Sequence, residues 1–149
     1  MKKVFCLWLI VIPLMIACDE EEVWKELEDE NLTQELVKFM HDYKEVWEES
    51  LTEQSYSLME TFFVGNSQVF HMERKQHQQL MGERKIEKFQ QANDILVETN
   101  QFDEFRVHWN ETVEIEQLDS VLEETRDRRY YISEGNSGFR ITAIERSDD

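Results

Sequence analysis

The sequence predicts an α+β fold in which N-terminal helices pack on one face of a curved antiparallel sheet. Three observations predict it. Apolar residues recur at helical spacing from Asn31 to Met81, the period drops to two beyond Gly82, and the last periodic runs are joined by glycine turns rather than by further helices. Helices first and a strand meander afterwards read as a layer of helices on a sheet. No internal repeat or low-complexity tract interrupts this order.

The first helix is expected to start near Asn31, with Gln34 three places on in a capping-box relation. Leu32, Leu36, Phe39, Tyr43 and Val46 then form one apolar stripe, thickened by Met40 and Trp47. A shorter helix carries Tyr56, Met59, Phe62 and Phe63 and stops before Gly65, where Asn66-Ser67 supplies a stop and a new N-cap. The third helix, about Gln68 to Met81, is polar and offers only Val69, Phe70, Met72 and Leu80 for burial. A first long strand is read at roughly Lys85 to Thr99, with its alternation slipping around Gln90 to Asp94, the mark of a bulge or bend. Asn100 to Asp103 makes the hairpin turn. In the next strand Phe105, Val107, Trp109, Val113 and Ile115 share one face. A final hairpin pairs Arg128 to Ser133 with Phe139 to Ile144 around Gly135-Asn136-Ser137-Gly138.

Charge narrows the partners. Across 149 residues 33 Asp+Glu face 16 Lys+Arg, a net charge of −17. Neutralising phosphates needs Lys/Arg clusters, so nucleic acid is not an expected partner, and the fold itself is not expected to lie flat on an anionic bilayer. The N-terminus has its own plan: Lys2-Lys3, then the uncharged run Val4 to Ala17, then Cys18. That is the layout of a secretory signal peptide. The alternative, an uncleaved anchor helix, is poorly served by an apolar run broken by Pro13 and shorter than the ~20 residues that span a bilayer. Leu14-Met15-Ile16-Ala17-Cys18 resembles the lipobox of bacterial lipoproteins, with Met15 where leucine is usual and Leu14 one place upstream. The resemblance implies cleavage before Cys18, a diacylglycerol on its thiol with fatty chains such as palmitate, and a location on the outer face of the bacterial plasma membrane. The chain then divides into a signal peptide (1–17), an acidic spacer (18–30) and a folded domain (31–149), with Trp24 and Leu27 able to begin a first helical turn. Losing Lys2 and Lys3 leaves 14 basic against 33 acidic residues, or −19. With Cys6 in the leader and Cys18 acylated, the folded part has no thiol, which removes disulfides, thiol nucleophiles and cysteine zinc sites.

The stretch from about Leu36 to Glu145 resembles the NTF2-like domain at the C-terminal end of TcaA-type proteins, cell-envelope proteins of Gram-positive bacteria linked to teicoplanin sensitivity. The features that carry the likeness are the helix with Phe39, Tyr43 and Trp47, and the break Phe63-Val64-Gly65-Asn66-Ser67. The strand Phe105-Arg106-Val107-His108-Trp109-Asn110-Glu111 and the closing Gly138-Phe139-Arg140-Ile141-Thr142-Ala143-Ile144-Glu145 complete it. The family usually carries Trp where Phe139 stands, and its members begin with a zinc ribbon and a membrane-spanning helix in place of the leader here. The resemblance implies a cone-shaped fold and an envelope location rather than a reaction.

Chemistry has few places to sit. Glu111 has the parity of Phe105, Val107 and Trp109, so an unbroken strand points it inward, where burial raises a carboxyl pKa and suits a general base. The alternative is structural: Glu111 pairs with an arginine such as Arg128 or Arg140, or lies at an open rim. A tyrosine such as Tyr43 or Tyr130 is the matching hydrogen-bond donor. Tyr43, Trp47, Trp109 and Tyr130 are candidate ligand-binding residues within an aromatic set that is most simply the core. His41, His71, His77 and His108 lack ligand spacing and read as surface histidines, so no metal site is expected, and no glycine-rich loop or serine elbow calls for a cofactor or nucleophile. Arg126-Asp127-Arg128-Arg129, a basic knot, reads as an ion-paired strand edge rather than an anion site. The expected function is a lipid-anchored binding or interaction domain of the cell envelope, with a cell-wall component or envelope protein as partner. The alternative is a small pocket enzyme of the isomerase or hydrolase kind with Glu111 as base. A third possibility is a structural cap that assembles through an exposed sheet face.

Overall fold

The computed structural model describes residues 21–147; the expected leader, Cys18 and the start of the acidic spacer lie outside the described residues. Strand β1 (Lys25–Glu26) is followed by helix α1 (Glu30–Thr52), a 3₁₀ helix (Tyr56–Phe62) and helix α2 (Gln68–Gly82). Four long strands complete the chain: β2 (Lys85–Thr99), β3 (Phe105–Gln117), β4 (Ser120–Gly135) and β5 (Gly138–Arg146). Each strand pairs antiparallel with its neighbours in sequence, in the order β1-β2-β3-β4-β5, and the helices cover one face of this curved sheet. The α+β class is the one the sequence predicts.

Helix α1 is capped by Asp29, whose carboxylate accepts from the backbone N–H groups of Asn31 and Leu32 at 3.0 Å each. The helix therefore begins one residue before the expected Asn31, because a carboxylate satisfies the unpaired first-turn N–H groups and complements the helix dipole. Its buried line runs Leu36, Met40, Lys44, Trp47, Leu51, with Tyr43 beside it, while Phe39 and Val46 are only half-buried flanks. Ser67 caps α2 as predicted, its hydroxyl accepting from the Phe70 N–H at 3.2 Å. The inward face of α2 differs from expectation. Met72 is 47% exposed, and the buried positions beyond Val69 and Phe70 are Glu73 and His77, which follow Val69 at successive fourth places.

The concave face of the sheet carries Phe105, Val107, Trp109 and Val113, all buried, against Leu36, Met40 and Tyr43 of α1 and Phe63 and Phe70 beyond it. The register of β2 against β3 shifts between Phe89 and Gln91 and again between Asn93 and Leu96, where the apolar alternation slips. Asp94 there adopts φ +53°, a left-handed conformation that Asp tolerates better than most residues. Strand β4 starts well before Arg128, joined to β3 by the two-residue turn Leu118–Asp119. Its first half escapes a hydrophobic reading because its concave positions hold Glu124, Arg126 and Arg128.

Two further expectations are corrected. Trp24 and Leu27 do not begin a helical turn. Instead β1 pairs Lys25 with Thr99 and Glu26 with Glu98, covering the edge of β2, and the Trp24 ring lies 4.4 Å from the Arg106 guanidinium carbon. The end of the expected spacer is thus part of the fold. The basic knot is not a strand edge either, since β4 lies between β3 and β5. Alternation splits the knot across the sheet: Arg126 pairs with Glu87 on the concave side, while Asp127 meets His108 and Arg129 meets Glu145 on the convex side.

Candidate functional site

The site is built around the carboxylate that β3 points inward. Glu111 is 1% exposed, and three donors converge on it from three elements. Lys44 Nζ of α1 lies 2.9 Å from Oε1 and 2.8 Å from Oε2; the Trp109 indole N–H donates to Oε2 at 2.9 Å and the Tyr130 hydroxyl at 3.0 Å. Sequence reasoning offered an arginine as partner; the structure supplies Lys44 instead. Arg128 donates to the backbone carbonyl of Asp127, and Arg140 to the carbonyls of Ser137 and Phe139.

Burial pushes the Glu111 carboxyl up, but the adjacent Lys44 ammonium and the three hydrogen bonds outweigh it and hold the group below the ordinary carboxylate range. The expected raised pKa is therefore reversed. An ionised carboxylate already accepting from three donors is a weak base. The Tyr130 phenol is pushed well up by burial and by the Glu111 charge, and Tyr43 by burial and by Glu73, so both stay protonated as donors.

A second charged group closes the cavity on the other side. Tyr43 donates to Glu73 of α2 at 3.3 Å, and Glu73 also meets Arg146 of β5, which donates to Gln76 at 2.8 Å. Arg126 reaches Glu87 at 2.7 Å. What remains between these groups is a chamber of about 20 Å³, lined by Tyr43, Lys44, Glu111, Arg128, Tyr130 and Arg146 among others. That is room for about one water. Outside Gln76, Arg126 and Arg146 the mouth widens into a groove of about 480 Å³ between α2 and the ends of β2, β3 and β4.

Of the four candidate ligand-binding aromatics, Tyr43, Trp47 and Tyr130 line the chamber. Trp109 packs beside it, stacked on Phe89 with centroids 5.6 Å apart. His77, expected at the surface, is fully buried between Trp47 and Tyr56, with its Nε2 3.0 Å from the Ser50 hydroxyl, and burial lowers its pKa. Lys44, Glu73, Glu87 and Arg146 were not singled out from sequence, and Arg126 only as part of the basic knot. A signal did exist for Lys44, which stands four places after Met40 and three before Trp47, where an apolar residue is due.

The lowered Glu111 pKa sets a pH expectation. Its contribution to stability is complete above the unfolded value near 4.5 and is lost as pH falls through the lower folded value. The stability difference between the parent chain and Glu111→Gln, from urea unfolding at stepped pH, is expected to be flat above that value and to shrink below it. A difference that grew on acidification would contradict the assignment.

Among the described residues no helix is long and apolar enough to cross a membrane, and no cluster of metal-binding side chains forms. No protein-family model matches the sequence, and no curated protein does. Solved structures do match in three dimensions. The chain is similar to Aln2 from a Streptomyces species, with a TM-score of 0.60 and 16% identity over 83% of this chain and 96% of that one. It is also similar to the intermembrane space region of the chloroplast protein ARC6, with a TM-score of 0.51 and 12% identity over 80% of this chain and 97% of that one. At these identities the likeness speaks for architecture alone: the fold is NTF2-like.

Proposed function

We propose that this chain is a non-enzymatic binding domain of the bacterial cell envelope, anchored through Cys18 to the outer face of the plasma membrane. The observation that carries the binding half is the filled cone. Glu111 has the tyrosine hydroxyl that a pocket enzyme needs, at 3.0 Å, but it is saturated by Lys44 and Trp109 and faces a chamber of about 20 Å³. A substrate typically needs about 300 Å³ or more. The pocket-enzyme reading, with Glu111 as base, keeps the Tyr130 contact as its support and has neither the basicity nor the volume.

The anchoring half rests on Leu14-Met15-Ile16-Ala17-Cys18 and the basic, apolar leader before it. The sequence likeness to TcaA-type proteins supports an envelope role of that kind, with a cell-wall component or envelope protein as partner and a contribution to envelope stress tolerance. Mass spectrometry of the membrane fraction tests the anchor. A diacylated peptide beginning at residue 18 is expected from the native chain and absent from Cys18→Ala. A Cys18→Ala chain that stayed membrane-bound with its first 17 residues intact would overturn it.

A further inference from the structure

The mouth groove mixes two kinds of lining. Met72 and Leu80 of α2 and Ile115 of β3 are its apolar part, and Met72 is 47% exposed on a helix whose other outward residues are mostly polar. The charged part is mainly basic. Lys75, Lys85, Arg126 and Arg146 line the groove with two carboxylates, Glu83 and Glu124, in a chain whose net charge is −17; Lys85 pairs with Glu83 at 2.5 Å and Arg146 with Glu73. Acidic residues outnumber basic ones two to one in the whole sequence, and this groove inverts the ratio.

Arg126 holds the inner end. Its NH1 is committed to the buried Glu87 at 2.7 Å, which fixes the plane of the guanidinium. Its outer edge, Nε and NH2, donates at 3.0 and 2.8 Å to a single oxygen of Glu124, Oε2. That leaves the two-pronged geometry in which a guanidinium grips both oxygens of a carboxylate unmet. Glu124 comes from two positions away on the same strand, and its side chain is 39% exposed against 13% for Arg126. An exchangeable, solvent-reachable carboxylate thus covers the outer edge of a fixed and nearly buried guanidinium, in a groove that Met72, Leu80 and Ile115 also line.

We propose that this groove binds a small amphiphilic monocarboxylate. Its carboxylate takes the place of Glu124 on Nε and NH2 of Arg126, and its apolar part lies along Met72, Leu80 and Ile115. A single negative charge suits a chain this acidic better than a phosphate dianion, which the surrounding carboxylates repel more strongly. A volume of about 480 Å³ falls within the range of small-ligand sites. The inference deepens the reading of the chain as a binding domain and is independent of how it is anchored.

Methyl-¹³C methionine NMR of the full chain in nanodiscs, titrated with hexanoate, tests it. The Met72 methyl signal is expected to shift saturably with hexanoate and much less with hexanol or hexyl phosphate. Glu124→Gln removes the competing charge and is expected to tighten hexanoate about fivefold, the scale of one partly exposed ion pair. Met72→Glu, at an exposed position that leaves the core intact, is expected to weaken it at least tenfold, as like charges brought together do, read through saturation transfer to the hexanoate signals because this variant lacks the Met72 methyl. Equal binding of hexanol, stronger binding of hexyl phosphate, or an unchanged or weakened affinity in Glu124→Gln would each overturn the proposal. Conversion of hexanoate to a new species would leave the groove standing and defeat the non-enzymatic reading. Absence of hexanoate binding by the folded chain would defeat the groove alone.

Discussion

Replacing Lys44 with methionine is expected to lower the unfolding free energy by about 3–5 kcal/mol, because it strands a buried charge. Methionine matches lysine in length and helix propensity, so α1 itself loses little. What is lost is the cation 2.8 Å from Glu111, a carboxylate that is 1% exposed and faces only a chamber with room for about one water. The Tyr130 hydroxyl and the Trp109 N–H remain as donors, but neutral donors offset only part of the cost of burying an anion. Adding Glu111→Gln to Lys44→Met removes the stranded charge while keeping an acceptor for both donors. The double variant is expected to recover most of the loss. Urea unfolding of the single and double variants reads this directly, with the m-value checking that the unfolding reaction is unchanged. A single variant within 1 kcal/mol of the parent would mean that bulk solvent reaches the pair and that the cone is not filled.

Much of the fold was legible because it is written in apolar periodicity. The stripe from Leu36 to Trp47, the Ser67 cap, the strand from Phe105 to Ile115 and the slip in β2 each correspond to a pattern with one physical cause. The first half of β4 was not legible for a related reason. Its inward positions are Glu124, Arg126 and Arg128, so the alternation that marks a strand reads there as polar against polar, and Leu118–Asp119 lacks the glycine or asparagine of a favoured hairpin turn. The same inversion hid most of the site. Lys44, Glu73 and His77 occupy core positions of amphipathic helices, where periodicity expects apolar residues, and each is tolerable only because a partner from a distant segment meets it: Glu111, Arg146 and Ser50. Glu111 was visible because one charged residue broke an otherwise unbroken inward row. Its partner was not, since pairing across 67 positions is a fact of packing and leaves no local trace.

Trp109→Ala is expected to cost about 3–5 kcal/mol, as large aromatic deletions in a core do. The ring is fully buried, stacked on Phe89 at 5.6 Å and edge-on to Tyr130 at 5.8 Å. Deleting it opens a cavity and also removes one of the three donors that keep Glu111 ionised. Trp109→Phe separates the two effects. It retains much of the aromatic volume and removes the 2.9 Å bond to Oε2, a hydrogen bond to a charged group that is typically worth about 1.5–3 kcal/mol. The phenylalanine variant is therefore expected to fall between the parent and alanine, and to raise the pH at which acid begins to unfold the chain. That second shift follows from sign. With one donor fewer, the folded Glu111 pKa rises toward its unfolded value, so the carboxylate takes up its proton earlier on acidification and its contribution is lost sooner. A phenylalanine variant that matched alanine in stability but left the acid midpoint where it was would locate the cost in packing, and would show that Lys44 and Tyr130 alone suffice to hold the charge.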